Sequence, residues 1–456
     1  MQLTYHEIAS VVHAKNNWEK WPDFTISSIE FDSRLLKEGA LFVPLKGIRD
    51  GHDFVENALQ QGASATLWAR GNVPEEFPTL VVEDTLLALQ ELARYYLKKM
   101  NPKVVAITGS NGKTTTKDMT EAILKQKYHT YKTQGNYNNH IGLPYTILHM
   151  PNETEVLVLE MGMDHAGEIS FLAKMGKPEI AAITLIGESH IENFGSRKGI
   201  AQAKMEITEG LQAGGELIIP ADEPLLTSFV KEIDPSIKVT TFGLYGASDC
   251  YVTSIEEEKE RTSFTVNLYP DMAFQIPVLG SYNARNALVA IEIGRHFDLD
   301  LTQIQRGLST MKLTQNRTEW KKAQNGADIL SDVYNANPTA MGLVLDTFSK
   351  LENKGKKLAV LGDMLELGDA SAALHQQMKN HLDPEKIQEI YLFGPEMKNL
   401  FEELKKVYKN ESIHYYSFAQ KNQLIQDLQA SLAPQDMVVL KASNGMKLEE
   451  IVQKIS

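Results

Sequence analysis

The chain has 456 residues, too many for one hydrophobic core and enough for about three domains. Hydrophobic residues make up 43% and charged residues 23%, which excludes a disordered or fibrous chain. Lys plus Arg (46) against Asp plus Glu (59) leaves a net charge of −13, which opposes attraction to nucleic acid or anionic lipid and favours small-molecule partners, while Cys250, the single cysteine, excludes an internal disulfide, a cysteine zinc site and an iron–sulfur cluster held by this chain alone.

The N-terminus, MQLTYHEIASVVHAKNNWEK, places His6, Glu7, His13 and Lys15 where a signal peptide carries its apolar core. No run approaches the ~18 consecutive apolar residues of a membrane span. The expected location is the cytoplasm, without membrane insertion. LFVPL (41–45) and TLVV (79–82) read as strands of a small α/β unit. Leu89, Leu92, Ala93, Tyr96 and Met100 share one helical face, and that helix should stop at Asn101-Pro102. KVVAIT (103–108) is then a β-branched apolar strand, residues 109–112 a glycine turn, and 113–127 a helix. EVLVLE (155–160), EIAAIT (179–184) and ELIIP (216–220) continue a parallel sheet, with helical segments between them. Residues 263–268 and 274–278 read as β-rich material before a helix starting near Asn283. A further α/β series follows in 327–333, 357–364, 390–394 and 437–443. The predicted domains are 1–100, 101–312 and 313–456, all of the α/β class.

TGSNGKTTT (108–116) lies between a buried strand and a helix, where backbone N–H groups and the helix N-terminus form an anion site. Gly109 and Gly112 allow close approach of a phosphate, with Ser110 and Asn111 between them. Lys113 supplies a cation, and Thr114, followed by Thr115, offers a hydroxyl to Mg²⁺. Ile107 occupies the first glycine position of the general phosphate-loop pattern, so this loop is a shortened variant. DHAG (164–167) has no guanine-reading partner downstream, and no G-x-G-x-x-G is present, which argues against a GTPase and a nicotinamide-linked dehydrogenase.

With further segments, this loop resembles the Mur ligases, ATP-dependent amide-forming enzymes of peptidoglycan precursor synthesis. The resemblance spans nearly the whole chain. It rests on GSNGKTTTKD (109–118), TQGNYNNHIGLP (133–144), LEMGM (159–163), ESHIENFGS (188–196), AKMEI (203–207), NARNALVA (283–290), QNRTEW (315–320), DVYNANPTAM (332–341) and GDMLELG (362–368). FDSRLLKEGALFVPLKGIRDGHDF (31–54), with YNANP (334–338) and GDMLELG, most resembles the branch that adds D-alanyl-D-alanine to a UDP-N-acetylmuramoyl-tripeptide. The resemblance implies a UDP-sugar-binding N-terminal domain, a central phosphate-loop ATPase domain and a Rossmann-like C-terminal domain that closes over ATP. KASNGMKLEE (441–450) departs from the K-G-S-R-type stretch of relatives, and no site is assigned there.

Joining a carboxylate to an amine requires ATP to convert the carboxylate into an acyl phosphate first. The resemblance implies Lys113, Glu160, His190 and Lys204 as the catalytic set. It also implies two Mg²⁺ ions held by Thr114, Glu160, His190 and Lys204, the lysine carrying a CO₂-derived carbamate that inverts its charge. Lys204 stands 14 residues beyond His190, the family's spacing for that lysine. Taken alone, His190 is more often a loop hydrogen-bonder and Lys204 a surface lysine. Asn283 and Asn286 would contact adenine, with helix capping by Asn283 the alternative. Arg317 would reach the γ-phosphate, Asp332 the ribose, and Tyr334 would complete the nucleotide site. Asp32, Ser33 and Arg34 resemble a uridine contact, with Lys46 a diphosphate partner. Asn136, Asn138, Asn139, Asn335 and Asn337 would face the sugar-peptide substrate, although Asn is also a common turn and cap residue. A monomer is expected. The competing readings are a ligase adding a single amino acid, a folate-tail ligase, and a nucleotide-operated binding module without covalent chemistry.

Overall fold

The structure is a computed structural model that describes residues 3–314 and 317–456. Met1 and Gln2, and Gln315 and Asn316 of the QNRTEW segment, lie outside the described residues. Among the described residues, no helix is long and apolar enough to cross a membrane.

An antiparallel ribbon of Leu3–Thr4 with Thr25–Ile26 precedes a four-stranded parallel sheet. Its strands, in order, are β1 (Ile29–Glu30), β2 (Ala40–Phe42), β3 (Ala63–Trp68) and β4 (Thr79–Val81). Two of the four match the expected runs at 41–45 and 79–82. The following helix, α1 (Thr85–Met100), starts earlier than its apolar stripe suggests because the Asp84 side chain accepts from Leu87 N–H and caps it. It ends at Asn101, whose left-handed φ of 49° and following proline stop the helix where expected.

The central sheet has nine strands: β5 (Lys103–Thr108), β6 (Thr130–Lys132), β7 (Val156–Glu160), β8 (Ile180–Ile183), β9 (Glu216–Pro220), β10 (Lys238–Gly243), β11 (Cys250–Glu258), β12 (Arg261–Val266) and β13 (Tyr269–Ile276). Their spatial order is β13-β12-β11-β10-β9-β8-β5-β7-β6. The part from β6 to β11 is parallel, and the hairpin strands β12 and β13 extend it antiparallel. The β-rich insert is therefore continuous with the central parallel sheet, joined through β10, a strand the sequence reading did not mark. Helices α2 (Lys113–Leu124), α3 (Gly142–Leu148), α4 (Glu168–Gly176), α5 (Arg197–Met205), α6 (Ser281–His296) and α7 (Leu301–Thr310) cover the faces. From β5 the chain crosses to the β6 edge, whereas from β8 it continues to β9, so strand order reverses between β5 and β8. That is where open α/β sheets hold ligands.

The C-terminal sheet comprises β14 (Glu319–Lys322), β15 (Asp328–Asp332), β16 (Lys357–Gly362), β17 (Glu389–Phe393), β18 (Ile413–Tyr416) and β19 (Met437–Lys441). Its order is β14-β15-β19-β16-β17-β18, parallel except for the β14–β15 pair. Helices α8 (Pro338–Lys350), α9 (Met397–Leu404) and α10 (Glu449–Ile455) are among those that flank it. Separate hydrophobic clusters fill its two faces. By contrast, one apolar cluster runs unbroken from Leu3 through α1 into the central sheet.

Candidate active site

The glycine loop leaves β5 at the reversal point. Gly109 has a φ of 150°, and a Cβ there would overlap the Thr184 hydroxyl just beyond β8. Gly112, at φ 83°, would place a Cβ 2.5 Å from Asn286 Oδ1. Both glycines are thus required by left-handed backbone and by close neighbours. The loop is tied to the end of β8: Ser110 N–H donates to Leu185 O at 2.8 Å, and Thr184 Oγ1 donates to Asn111 O at 2.5 Å. Lys113 folds back to donate to Gly109 O at 2.7 Å, inside the cradle where a phosphate would sit. Burial lowers the Lys113 ammonium below its ordinary pKa, opposed by attraction to Glu160 and reinforced by repulsion from Arg317.

The loop forms one wall of a cleft of about 760 Å³. Residues 109–114 line it along with Asn136, Asn138 and Asn139 from the segment after β6, and Glu160 at the end of β7. His190, Lys204, Arg317, Tyr334 and Asn335 also reach it, so the sequence-predicted residues from distant segments converge.

Glu160 is buried. Its Oε1 accepts from Asn138 Nδ2 at 2.9 Å, while Oε2 has no hydrogen-bond partner and lies 3.4 Å from Lys117 Nζ. Burial pushes this carboxyl up, but the charges of Lys117, Lys113 and Arg317 and the Asn138 bond bring it below the ordinary carboxylate value. A buried carboxylate with one unsatisfied oxygen fits a hard cation. Lys204, on α5, is 3% exposed. Burial, and then repulsion from Lys113, pushes its ammonium well below the ordinary lysine pKa. It is not the solvated surface lysine of the alternative reading. His190 adopts φ 61°, and its Nδ1 lies 2.6 Å from Glu366 Oε2 and 3.3 Å from Asp164 Oδ1. No three His, Cys, Asp or Glu side chains gather as a preformed metal cage among the described residues.

Arg317 lies with its guanidinium carbon 4.1 Å from the Tyr334 ring centre. Asp332 accepts from Lys441 Nζ at 2.5 Å and from Thr318 N–H at 3.2 Å. Asn283 does not cap its helix: the N-cap is Gly280, and Asn283 Nδ2 donates to Leu279 O at 2.8 Å. Asn286 Nδ2 donates to Asn283 Oδ1 at 3.3 Å, which holds Asn286 against the glycine loop. Thr115, Asn283, Asn286, Asp332 and Asn337 lie behind the lining rather than on it. Asn337 is buried, caps α8 through Ala340 N–H and donates to Ser189 Oγ at 2.6 Å, so it joins the C-terminal sheet to the central one.

Asp32, Ser33, Arg34 and Lys46 do not line the cleft. Asp32 caps the turn Ser33–Leu35 and is bound by Arg34 at 2.6 Å, and Lys46 pairs through its backbone with Asp50. Sequence reasoning missed Gln90, Phe171, Leu365, Glu366 and residues 443–445, all of which line the cleft. Leu365 and Glu366 fall inside the GDMLELG motif, which was quoted without a role for them. Residues 443–445 belong to the segment whose departure from the usual pattern left it unassigned, yet Ser443 Oγ accepts from Leu365 N–H at 2.9 Å and helps shape the wall.

Three domain families match consecutive parts of the chain: the Mur ligase family catalytic domain over 25–97, the Mur ligase middle domain over 107–294 and the Mur ligase glutamate ligase domain over 316–444. The UDP-N-acetylmuramoyl-tripeptide–D-alanyl-D-alanine ligase of Bacillus subtilis is 41% identical, with 100% of this chain and 98% of that protein aligned. Among solved structures, MurF from Acinetobacter baumannii superposes with a TM-score of 0.89 at 28% identity, covering 100% of this chain and 99% of that one. MurF ligase from Thermotoga maritima in complex with ADP gives 0.80 at 29% identity, covering 94% and 96%.

Proposed function

The chain belongs to the Mur ligase family, and on that premise we propose that it joins D-alanyl-D-alanine to UDP-N-acetylmuramoyl-tripeptide with cleavage of ATP to ADP and phosphate, giving the pentapeptide precursor of peptidoglycan. The observation that carries this reading is the convergence of the glycine loop, Glu160, Lys204 and Arg317 on one cleft, in a chain aligned end to end with a relative of that activity. The proposed domains are 1–100 for the UDP-sugar, 101–312 for ATP and 313–456 for closure.

In the first half-reaction, the tripeptide carboxylate attacks the γ-phosphorus and ADP leaves, forming an acyl phosphate. In the second, the amine of D-alanyl-D-alanine attacks the carbonyl carbon, phosphate leaves, and the nitrogen loses a proton. Residues 109–114 cradle the phosphates with backbone N–H groups, and Lys113 exchanges its bond to Gly109 O for phosphate oxygens. Arg317 brings a second cation from the linker. Asn286 braces the loop, with Asn283 and Thr115 behind it, and Asp332 and Tyr334 bound the nucleotide on the C-terminal side. Asn136, Asn138 and Asn139 hold the sugar-peptide with Asn335, while Asn337 steadies the domain contact. Asp32, Ser33, Arg34 and Lys46 take the uridine diphosphate end.

Thr114 and Glu160 would hold one Mg²⁺, and Glu160, His190 and a carbamylated Lys204 a second; bound there, the ions supply positive charge beside the phosphoryl oxygens. For Lys204, burial favours the modification. Only the neutral amine attacks CO₂, forming an N–C bond and releasing one proton, and the depressed pKa increases the neutral fraction near pH 7. Since both nucleotide substrates are cytoplasmic metabolites, the proposed place of action is the cytoplasm, and the proposed oligomeric state is a monomer.

The test is mass spectrometry of the product formed from UDP-N-acetylmuramoyl-tripeptide, ATP and either D-alanyl-D-alanine or D-alanine. The pentapeptide is expected, with kcat/KM strongly favouring the dipeptide. Equal kcat/KM for the two amines would move the assignment to a sibling ligase.

A further inference from the structure

The glycine-loop motif ends in Lys117 and Asp118, which the reaction above does not use. Both are buried, on the helix α2 whose N-terminus faces the phosphates. Asp118 engages both of its carboxylate oxygens. Oδ1 accepts from Lys132 Nζ at 2.8 Å, and Oδ2 accepts both the backbone N–H of Thr314, at 2.8 Å, and its hydroxyl, at 2.9 Å. Thr314 lies 196 residues further along, in the segment that leaves α7 and leads to β14. Lys132 is also bound to Glu121 at 2.8 Å, and Lys117 Nζ lies 3.9 Å from Asp118 Oδ1, so the Asp118 carboxylate sits in a network of two acids and two lysines.

Beyond Thr314, the same segment is held from the other side. Thr318 N–H donates to Asp332 Oδ1 and Arg317 stacks on Tyr334. A connecting segment between domains ordinarily makes few buried polar contacts. Here Thr314 alone gives two donors to one carboxylate that is 1% exposed. We propose that Asp118 is a positioning residue that fixes the departure point of the interdomain linker to the phosphate helix, so that Arg317 enters the cleft in register with Lys113. The inference rests on the ligase reading for its effect on turnover. It makes α2 a shared mount: the first turn grips ATP and the second holds the linker that delivers Arg317.

Three variants test it: Thr314→Val, which removes the hydroxyl donor and keeps the backbone bond; Thr314→Ser, which keeps both; and Asp118→Asn, whose single acceptor oxygen cannot serve Thr314 and Lys132 together. Thr314→Val and Asp118→Asn should lower kcat roughly 5- to 10-fold, in line with the net worth of one lost hydrogen bond, while KM for ATP stays within about twofold. Thr314→Ser should behave as the parent. Small-angle scattering of the ligand-free protein should show a larger radius of gyration for Thr314→Val than for Thr314→Ser. Parental kcat in Thr314→Val, an equal fall in Thr314→Ser, or identical radii for the two would each overturn the proposal. Should Asp118→Asn fail to fold, the Thr314 pair decides. The scattering needs no substrate, so a parent enzyme that makes no pentapeptide would count against the ligase reading while the radii still decide the clamp.

Discussion

Lys204 and Lys113 both line the cleft, yet their surroundings act on their ammonium groups differently. Burial lowers the Lys113 pKa, but attraction to Glu160 opposes that shift and favours the ammonium. Lys204 has burial and a second lysine against it, conditions that disfavour its ammonium. Replacing Lys113 by Ala should therefore reduce turnover by at least ~100-fold, with an unchanged circular dichroism spectrum, because its side chain reaches into the cleft rather than a core. Near-normal turnover in a folded Lys113→Ala would show that the loop has been misread. Lys204→Ala should be nearly inactive too, but an added small carboxylate such as acetate should restore part of its activity and none to Lys113→Ala. Unchanged activity in Lys204→Ala would end the proposed role. The loop residues were legible in sequence because strand, glycines and Lys-Thr are contiguous, so local chemistry specifies the site. Gln90, Leu365 and Ser443 were not, because each reaches the cleft only through packing of separate sheets, which leaves no local spacing to read.

At the level of elements, long apolar runs such as those of β5, β7 and β19 were legible, since burial on both faces demands them. The strand β3 was not. Its sequence ASATLW contains mostly small or polar residues and lacks a β-branched apolar run, although it occupies the middle of the N-terminal sheet. β18 was missed for a related reason, because IHYY reads as polar and aromatic rather than as a core strand. One element end carries a testable stability cost. Asp363, just beyond β16, is 1% exposed and accepts from Met397 N–H at the start of α9 at 2.9 Å. Burial pushes its carboxyl up to about 6 from 3.8, with the backbone donors at Met397 and Glu396 offsetting only part. Because the folded pKa exceeds the unfolded one, the folded protein binds the extra proton between these values, and stability falls as pH rises through that window. Asp363→Asn keeps an oxygen for Met397 and removes the buried charge. Chemical denaturation should show it about 1–3 kcal/mol more stable than the parent near pH 7.5, with the advantage gone near pH 4. The same difference at both pH values would exclude the carboxyl charge as its source.

Across the whole molecule, the three parts are joined in two different ways. The C-terminal sheet meets the central one through a small apolar patch, where Leu279, Ile191 and Tyr282 pack against the C-terminal core, and through polar contacts: Glu188 accepts from Thr339 N–H at 3.1 Å and its hydroxyl at 2.8 Å, and His190 faces Glu366. Such contacts re-form readily in water and suit a domain that opens and closes around ATP. The N-terminal unit instead shares one continuous apolar cluster with the central sheet. At its heart Glu30, 5% exposed, accepts from Tyr145 OH at 2.8 Å and lies 3.0 Å from His149 Nε2. Phe31 stands edge-on to Tyr145, with ring centres 4.9 Å apart, and Tyr137 beside it reaches back toward the Asn run. Two residues after Glu30 comes Asp32, the proposed uridine contact, so this joint sets the span over which a long nucleotide-sugar-peptide must stretch. Glu30→Ala leaves the half-buried Tyr145 hydroxyl and His149 ring without their carboxylate partner and should cost about 1–3 kcal/mol. Calorimetry should then resolve an early transition for the N-terminal unit. In steady-state kinetics, KM for the UDP-tripeptide should rise several-fold while KM for ATP holds, because the glycine loop is untouched. An equal rise in both constants would mean that the damage spreads through the central sheet, and the two units would not then be joined by a local joint at Glu30.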